Sequence, residues 1–537
     1  MPGDSGDRSA QINYLTEIGI ALSTERDIQR LLENILASAK ILTAADGGTI
    51  YSVADNRLVF EIMSTDSLGV ALGGSTGVSI PFDPIPLYEV DGSPNTSTVV
   101  ASSVFRDMTI NIPDTYRADG FDFSGTRKFD EQTGYRTRSI LTVPLKNHEN
   151  EIIGVLQLIN ALDRVSGETV PFSVRSVRLA ESLASQAAVA LTNRKLIDDL
   201  NNLFDAFIKL IATEIDEKSP YTGGHCRRVP ELTMLLAEAA SRSECGELKD
   251  FRMNDKDRHE VEVAAWLHDC GKITTPEHVM DKSTKLETIF DRMRLVDARF
   301  DILRRDAEIR LLRELLARHG TDTREVDSAL AKTRLEFIGQ QSFLRRCNIG
   351  GETMSADDQA HVREIGAQRF VDGDGVMRSL LGEDEVYNLT IPKGTLNDEE
   401  RAVINRHIVA TIRMLESLPF PKHLQHVPEY AGGHHEHMDG SGYPRGLTRE
   451  EMSVPARVVA IADVFEALTA KDRPYKPGKR LSECLEIMGR MMLDSKIDPD
   501  LFRVFVSEKV YLRYAEQFLD ADQIDEVDET RIPGYTP

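Results

Sequence analysis

The chain has 537 residues, with 64 Lys and Arg against 87 Asp and Glu and a formal net charge of −23. At 41% hydrophobic and 28% charged residues it is neither disordered nor fibrous. Its acidic balance excludes a broad nucleic-acid-binding face, which needs clustered Lys and Arg. At about 150 residues per domain the length predicts two to four domains.

Residues 12–45 predict a helical opening, with Leu15, Ile18, Leu22, Ile28, Leu31, Leu32 and Ile35 at helical spacings. Strands are predicted at Thr49–Val53 and Leu58–Met63, joined by a turn at Asp55-Asn56, and again at Ser139–Leu145 and Ile152–Asn160, joined at Lys146–Asn150. Residues 81–125, rich in Pro, Gly, Asp and Ser, read as irregular loops. This half is therefore expected to be an α+β domain with an antiparallel sheet. Over 173–215 an apolar stripe (Val177, Leu183, Ala187, Leu196, Leu200, Leu203, Phe207, Leu210) runs without Pro or Gly. It fits a signalling helix with a parallel dimer seam, or a terminal helix packed on its own sheet. From 216 onward the pattern is helical. Between Glu287 and Gln340 a charged stretch broken at His319-Gly320 predicts a helical hairpin, its second helix ending near Leu344.

No apolar run approaches the ~20 residues of a spanning helix, and the polar start Met1–Asp7 differs from a secretory signal. Five cysteines (Cys226, Cys245, Cys270, Cys347, Cys484) at unpaired spacings fit a reducing compartment. The expectation is a cytoplasmic protein with no membrane or nucleic-acid partner.

The candidate chemistry is concentrated in the C-terminal half. Trp266-Leu-His-Asp-Cys-Gly-Lys272 ends a largely apolar helix, with Gly271 suited to a C-terminal cap. His268 and Asp269 there offer an imidazole and a carboxylate that can bridge two metals. Gly433-His-His-Glu-His-Met-Asp-Gly-Ser-Gly-Tyr-Pro444 crowds three histidines into four residues, fitting metal ligation or a solvated loop. Asp463 interrupts the apolar helix Ala456–Leu468, so it faces a cation or a salt bridge to Arg457 or Arg473. His407 lies in a helix opened by Asn397-Asp-Glu-Glu400, at capping-box spacing, with Ile404, Ile408 and Thr411 on its face. His225 follows Tyr221-Thr-Gly-Gly. Each of these two fits a ligand or a core histidine.

Together these elements resemble the HD-GYP family of metal-dependent phosphodiesterases, a branch of the HD superfamily. The resemblance covers Tyr221–Val229, Ala264–Lys282, Ile391–Ala410 and Gly433–Pro477, including His268-Asp269, Lys272, Lys393–Leu396, Gly442-Tyr443-Pro444 and Asp472–Tyr475. It implies an all-helical domain that hydrolyses cyclic di-GMP to linear pGpG, to GMP, or to both. The alternatives are another cyclic dinucleotide as substrate, or a non-catalytic cyclic di-GMP receptor. By the resemblance, His225, His268, Asp269 and Asp463 hold one divalent metal and His407, His434 and His435 a second, with Asp269 bridging. Iron or manganese suits such ligands. Two close cations would activate a water and neutralise phosphate charge, with Lys272 and Asp269 catalytic. Glu436 and Asp439 are expected to accept from the ring N–H of ligand histidines. Lys393, Tyr443, Arg445, Arg473 and Lys476 are expected at the substrate.

Two departures stand out. Tyr221 occupies the position where members with a third metal carry a carboxylate, so two metals are expected. Roughly residues 285–390 form an insertion between the His-Asp helix and the His407 helix. It is expected to be a helical appendage near the pocket mouth, too charged for a core of its own.

The amino-terminal half resembles a GAF sensory domain over about residues 12–195, through Phe129–Pro144, Gly154–Asn160 and Leu179–Leu191. Asn160 is followed by Ala161, and Phe172 by no acidic pair, unlike members that bind cyclic nucleotides. No Cys lies in this half, which excludes a covalent bilin. The domain fits a sensor or a ligand-free dimerisation module. The expected layout is a GAF domain at 12–172, a linker helix at 173–215 and the HD-GYP domain at 216–537. A homodimer is expected through the GAF domain and linker, with a diguanylate cyclase or other signalling protein as a possible partner.

Overall fold

The computed structural model describes residues 19–536 except 22–23, 26, 219–223, 245, 319–321, 352 and 472–477. The chain divides into two compact units, Met1–Leu203 and Phe204–Pro537.

In the first unit Asp27 caps the helix Ile28–Thr43 by accepting from the amides of Gln29 and Arg30. That helix buries Leu31, Leu32, Ile35, Leu36 and Ala39. The sheet is antiparallel: β1 (Ala45–Ala54), β2 (Arg57–Thr65), β3 (Val70–Gly73), β4 (Ile85–Pro86), β5 (Ile110–Ile112), β6 (Ile140–Lys146), β7 (Ile152–Leu162) and β8 (Thr169–Val170). Its order is β3-β2-β1-β7-β6-β5, with β4 on β2 and β8 on β7. Asp55 and Asn56 both take positive φ, which makes the tight β1–β2 turn.

Alternation along β7 sorts its residues between two cores. Leu156 and Leu158 pack with the first helix and with Ala180, Leu183, Ala184 and Ala187. Val155 packs with Tyr51, Leu58, Leu87 and Val100 on the opposite face. The 81–125 segment is not wholly irregular, because Val99–Arg106 is a helix and β5 an edge strand. Val99, Val100 and Ala101 are apolar enough to bury against the sheet despite the polar residues around them. Between this cover and the sheet lies a cavity of about 450 Å³, lined by Tyr51, Phe60, Phe82, Phe129 and Gln157 among others.

The stripe over 173–215 belongs to one helix, Val174–Lys218. Among its early residues Ala180, Leu183, Ala184, Ala187 and Ala188 are buried, and Ile208, Ala212 and Ile215 are buried again near its end. Leu196, Leu200, Leu203, Phe207 and Leu210 are each 49–63% exposed.

The second unit is mainly helical. Helices His225–Arg242, Val454–Thr469, Leu481–Leu493, Pro499–Ser507 and Val510–Phe518 share a core built on Leu232, Leu236, Ile461, Phe465, Leu485, Phe502 and Phe505. A second core joins Ile208, Ala212 and Ile215 to Cys226, Val263, Leu267, Cys270, Leu415, Val427 and Ala431. No helix among the described residues is long and apolar enough to cross a membrane.

The insertion contains the helices Met293–Ala317 and Thr323–Asn348; the break predicted at His319-Gly320 lies outside the described residues. Helix Ala356–Gly366, hairpin β9–β10 (Arg369–Val371, Met377–Ser379) and helix Glu383–Leu389 follow. The expectation of an appendage without its own core is wrong. Leu286, Met293, Val296, Phe300, Leu303, Leu344, Val362, Ile365 and Phe370 form a separate buried cluster. The charge that argued against it lies largely toward the hairpin's far end, whereas the apolar residues gather at its base. Two buried lysines fasten that base. Lys282 Nζ donates to Glu400 (2.7 and 2.8 Å) and to Asn388, and Lys285 Nζ to the carbonyls of Leu389 and Ile391. Burial lowers the Lys285 pKa from its ordinary value.

Phe300→Ala should therefore cost about 3–5 kcal/mol locally and speed hydrogen exchange through the insertion, while the first unit keeps wild-type protection. A change within about 0.5 kcal/mol, as at a surface position, would show that this cluster is not a core.

Candidate metal centre

Each functional side chain sits where a helix begins, ends or packs. Asn254 and Asp257 form a capping box at the start of Asp255–Leu267. That helix delivers His268 and Asp269 into the short 3-10 turn Cys270–Thr274. Gly271 is not a left-handed cap as its position suggested. A Cβ there would run into the carbonyl of His407 and the amide of Thr411, so glycine is what permits the turn to lie directly on helix Asp398–Glu416. The Gly271 amide donates to Thr411 Oγ1 at 2.9 Å. The same helix starts in the predicted capping box, Asn397 with Glu400, and presents His407 inward. His434 and His435 follow helix Val427–Gly432 after its cap residue Gly433.

The structure brings seven of the predicted residues together. His225 Nε2 lies 3.2 Å from Asp269 Oδ2, 3.3 Å from Asp463 Oδ1 and 3.3 Å from His268 Nε2. Asp269 Oδ1 lies 3.2 Å from His407 Nε2 and 3.9 Å from His434 Nε2. His435 Nε2 is 3.2 Å from His407 Nε2. The two oxygens of Asp269 thus face two separate groups, and the sets His225–His268–Asp463 and His407–His434–His435 each present converging ligand atoms. Asp269, His268, His407 and His434 are buried.

Three imidazoles are oriented in one way. His268, His407 and His434 each place Nδ1 against the carbonyl oxygen three residues earlier, of Ala265 (2.7 Å), Ile404 (2.6 Å) and Ala431 (2.6 Å). A carbonyl only accepts, so Nδ1 carries the hydrogen and a neutral ring offers Nε2 as a lone pair. Among the described residues, Asp269 Oδ1 and His434 Nε2 are buried without a hydrogen-bond partner. A buried acceptor oxygen beside a buried imidazole nitrogen, both unpaired, is a donor set that could hold a cation.

The electrostatics agree. Burial holds His434 well below its ordinary pKa, aided by His435 and His268. Burial likewise lowers His435 to about 4. Both rings are therefore neutral near pH 7, as ligation requires. Burial works against ionisation of Asp269, but Lys272 and His268 outweigh it and hold the carboxyl well below its usual range. Asp463 behaves alike, through His225. Burial also opposes charge on His225, yet Glu466, Asp269 and Asp463 keep its pKa well above normal.

Lys272 Nζ donates to Asp269 Oδ2, and its side chain is 24% exposed. Tyr443 stacks on His435, with ring centroids 4.8 Å apart. Arg445 reaches Glu416 at 3.3 Å. Lys393 is exposed, and Arg401 donates to its carbonyl. Arg473, Lys476, Asp472, Tyr475 and Tyr221 lie outside the described residues. Arg457, offered as a partner for Asp463, pairs instead with Asp498.

Glu436 and Asp439 do not accept from ligand imidazoles. Glu436 spends its two oxygens on the amides of Arg445 (2.8 Å) and Leu447 (3.0 Å), clamping the Gly-Tyr-Pro loop. Asp439 is exposed and accepts from the Ser441 amide. Their expected work falls to backbone carbonyls and, for His225, to Glu466, which sequence reasoning missed. Glu466 Oε2 lies 2.5 Å from His225 Nδ1, and its other oxygen accepts from Arg228 at 2.7 Å. Burial raises the Glu466 pKa, but His225 and Arg228 outweigh it and bring it to about 2. Its spacing from Asp463, three residues along one helix face, was the available signal.

Comparison with known proteins matches residues 27–191 to the GAF domain family and residues 222–333 and 382–501 to HD domain families. The gap between the two HD matches falls in the insertion. A 3'3'-cGAMP-specific phosphodiesterase of Vibrio cholerae is 42% identical over 113 residues, 21% of this chain and 25% of that protein. A cyclic di-GMP phosphodiesterase of Pseudomonas aeruginosa is 39% identical over 113 residues, covering 21% and 26%. One from Thermotoga maritima is 40% identical over 174 residues, covering 29% and 47%. The chain thus spans between a quarter and just under half of the length of these curated relatives. It carries a GAF domain followed by an HD domain.

Proposed function

We propose that this chain is a metal-dependent phosphodiesterase that opens cyclic di-GMP to linear pGpG, GMP or both, under the control of its GAF domain. The observation that carries the reading is the carboxylate of Asp269, buried between two converging sets of imidazoles with one oxygen toward each. His225, His268 and Asp463 would hold one divalent cation and His407, His434 and His435 the other, with Asp269 shared. When bound, such a pair supplies Lewis acidity to a water and to a phosphodiester. The positive charge that Asp269, Asp463 and Glu466 impose on His225 as a proton is the charge a cation would provide instead. Lys272, held on Asp269 and partly open to solvent, is placed to donate to a phosphate oxygen or to the departing ribose oxygen. Tyr443 fixes the ring of His435 by stacking, and the clamp on Glu436 keeps the loop carrying Tyr443 and Arg445 in shape. Lys393, Arg445, Arg473 and Lys476 remain the candidates for the second phosphate.

A second substrate, 3'3'-cGAMP, is favoured by the relatives named for it, one of them at 42% identity. Parallel turnover of the two cyclic dinucleotides separates the readings. The complete set of ligands and Lys272 supports catalysis over a receptor role.

In manganese- or iron-loaded protein, metal analysis should find two ions per chain. Asp269→Ala and His434→Ala should abolish turnover and lower that content. Lys272→Ala should cut turnover by about a hundredfold with both ions kept. Near-wild-type activity in Asp269→Ala would remove the basis of the mechanism.

The sensor's cavity supports a ring-bearing ligand without negative charge. None of its described lining residues is Lys, Arg or His, Asp83 and Asp122 are among them, and Gln157 at its floor is bonded to Tyr51 and Thr142. In the full chain, benzamide should raise the thermal transition of the GAF domain and phenyl phosphate should not. The reverse ranking would point to a phosphate ligand. The exposed residues at 196, 200, 203, 207 and 210, alternating by four and three, support a coiled-coil homodimer. Sedimentation should show a dimer at micromolar concentration that Leu203→Glu with Phe207→Glu makes monomeric. A monomeric wild type would rule the seam out.

A further inference from the structure

The last turn of helix Val174–Lys218 carries two side chains that the reaction does not use, and each is bonded to backbone that flanks the metal centre. Asp216 is buried. Its carboxylate accepts from the amides of Gly224 and Cys226, both at 3.1 Å. These amides border His225 at the start of helix His225–Arg242, where N–H groups have no partner within the helix. Gly224, the cap residue, has no side chain to serve them and sits at φ 91°. Asp216 therefore caps this helix from outside it, and it does so around His225.

Two residues on, Lys218 Nζ donates to three carbonyls of the next segment: Lys272 (3.3 Å), Ile273 (2.6 Å) and Thr275 (2.7 Å). An ammonium has three donors, and all three are directed at the turn that follows Asp269 and carries Lys272. The turn bearing Asp216 and Lys218 is itself fixed. Ala212 and Ile215 are buried in one core with Cys226, Leu267 and Cys270, the residues beside His225, His268 and Asp269.

Resting on the phosphodiesterase reading, we propose that Asp216 and Lys218 are positioning residues: Asp216 places His225, Lys218 places Lys272, and the final turn of the interdomain helix thereby sets the spacing between metal ligand and phosphate donor. A helix advances 1.5 Å per residue, and a misplacement of about 1 Å at reacting groups costs roughly a hundredfold in rate. A small shift of this turn is thus sufficient to change turnover without dismantling the ligand set. The device lies where the helix from the GAF domain ends, so the same contacts provide a route for a sensor signal.

The test uses full-length protein with three substitutions. Lys218→Met removes the three donors and keeps the apolar stem. Asp216→Asn leaves one acceptor oxygen where there were two. Glu217→Gln, between them and exposed, is the control. Lys218→Met should speed amide exchange across Cys270–Thr275 and lower turnover of cyclic di-GMP per bound metal pair by about tenfold to a hundredfold, with KM and manganese content as in the wild type. Asp216→Asn should weaken retention of one of the two manganese ions. Unchanged exchange in Lys218→Met, or equal changes in Glu217→Gln, would overturn the role of Lys218. Full retention of both ions by Asp216→Asn would overturn that of Asp216. Exchange and manganese retention do not depend on turnover, so a wild type inactive on cyclic di-GMP would refute the phosphodiesterase reading while these readouts still decide this one.

Discussion

A single buried carboxylate organises the second unit. Asp269 has almost no solvent contact, and Lys272 together with His225 must balance its charge. Removing the partners of a buried charge typically costs 3–5 kcal/mol, so the elements around Asp269 are constrained to arrive with their basic groups in place. The fold meets this by packing five of them through one apolar cluster. Cys226, Leu267, Cys270, Leu415 and Ala431 lie beside or on the same elements as His225, His268, Asp269, His407 and His434. Packing and charge balance are therefore coupled here: loosening the cluster would separate the carboxylate from Lys272 and His225, the cationic groups beside it.

Close approach is the second requirement, and it is met by the absence of a side chain. Gly271 lets the turn after Asp269 rest on the backbone of His407 and Thr411. The sequence marks this glycine clearly but not its reason, because a helix end and a close backbone approach leave the same residue. The insertion presents a related case. Its charged hairpin suggested an appendage without a core, since composition averages over the hairpin's length. Burial depends on where the apolar residues meet, and Phe300, Leu303, Leu344 and Val362 meet at the base. The short elements that complete this cluster, Ala356–Gly366 and the β9–β10 hairpin, lack a period long enough to read.

The two-domain order, the main strands of the sheet and the helices bearing the site were legible because each rests on periodicity or on capping chemistry. Asn397 with Glu400 is the plainest instance. Of the seven converging residues, His268, Asp269, His434, His435 and Asp463 stood out by their chemistry in or beside apolar helices, whereas His225 and His407 fitted a core histidine equally well and joined the set only through the family resemblance. The groups that orient those rings were not legible. Glu436 and Asp439 lay nearest in sequence and were assigned the task, yet backbone carbonyls perform most of it. Every residue carries such a carbonyl, so no pattern of side chains can reveal which ones are used.

The exception explains itself. His268, His407 and His434 each have a helical or turn carbonyl three residues back, on the same side as the ring. His225 is the first residue of its helix, and Gly224 before it is outside helical geometry. Among the described residues its Nδ1 meets a side-chain carboxylate and no carbonyl. A side-chain acceptor must come from elsewhere, and it must stay ionised when buried. Glu466 satisfies both conditions: it projects from the turn after Asp463 and is held charged by His225 and Arg228. Glu466 thus stands one helical turn from Asp463, on the helix that meets the start of the His225 helix. Arg228, one turn after His225, completes the exchange by neutralising the carboxylate that the histidine needs.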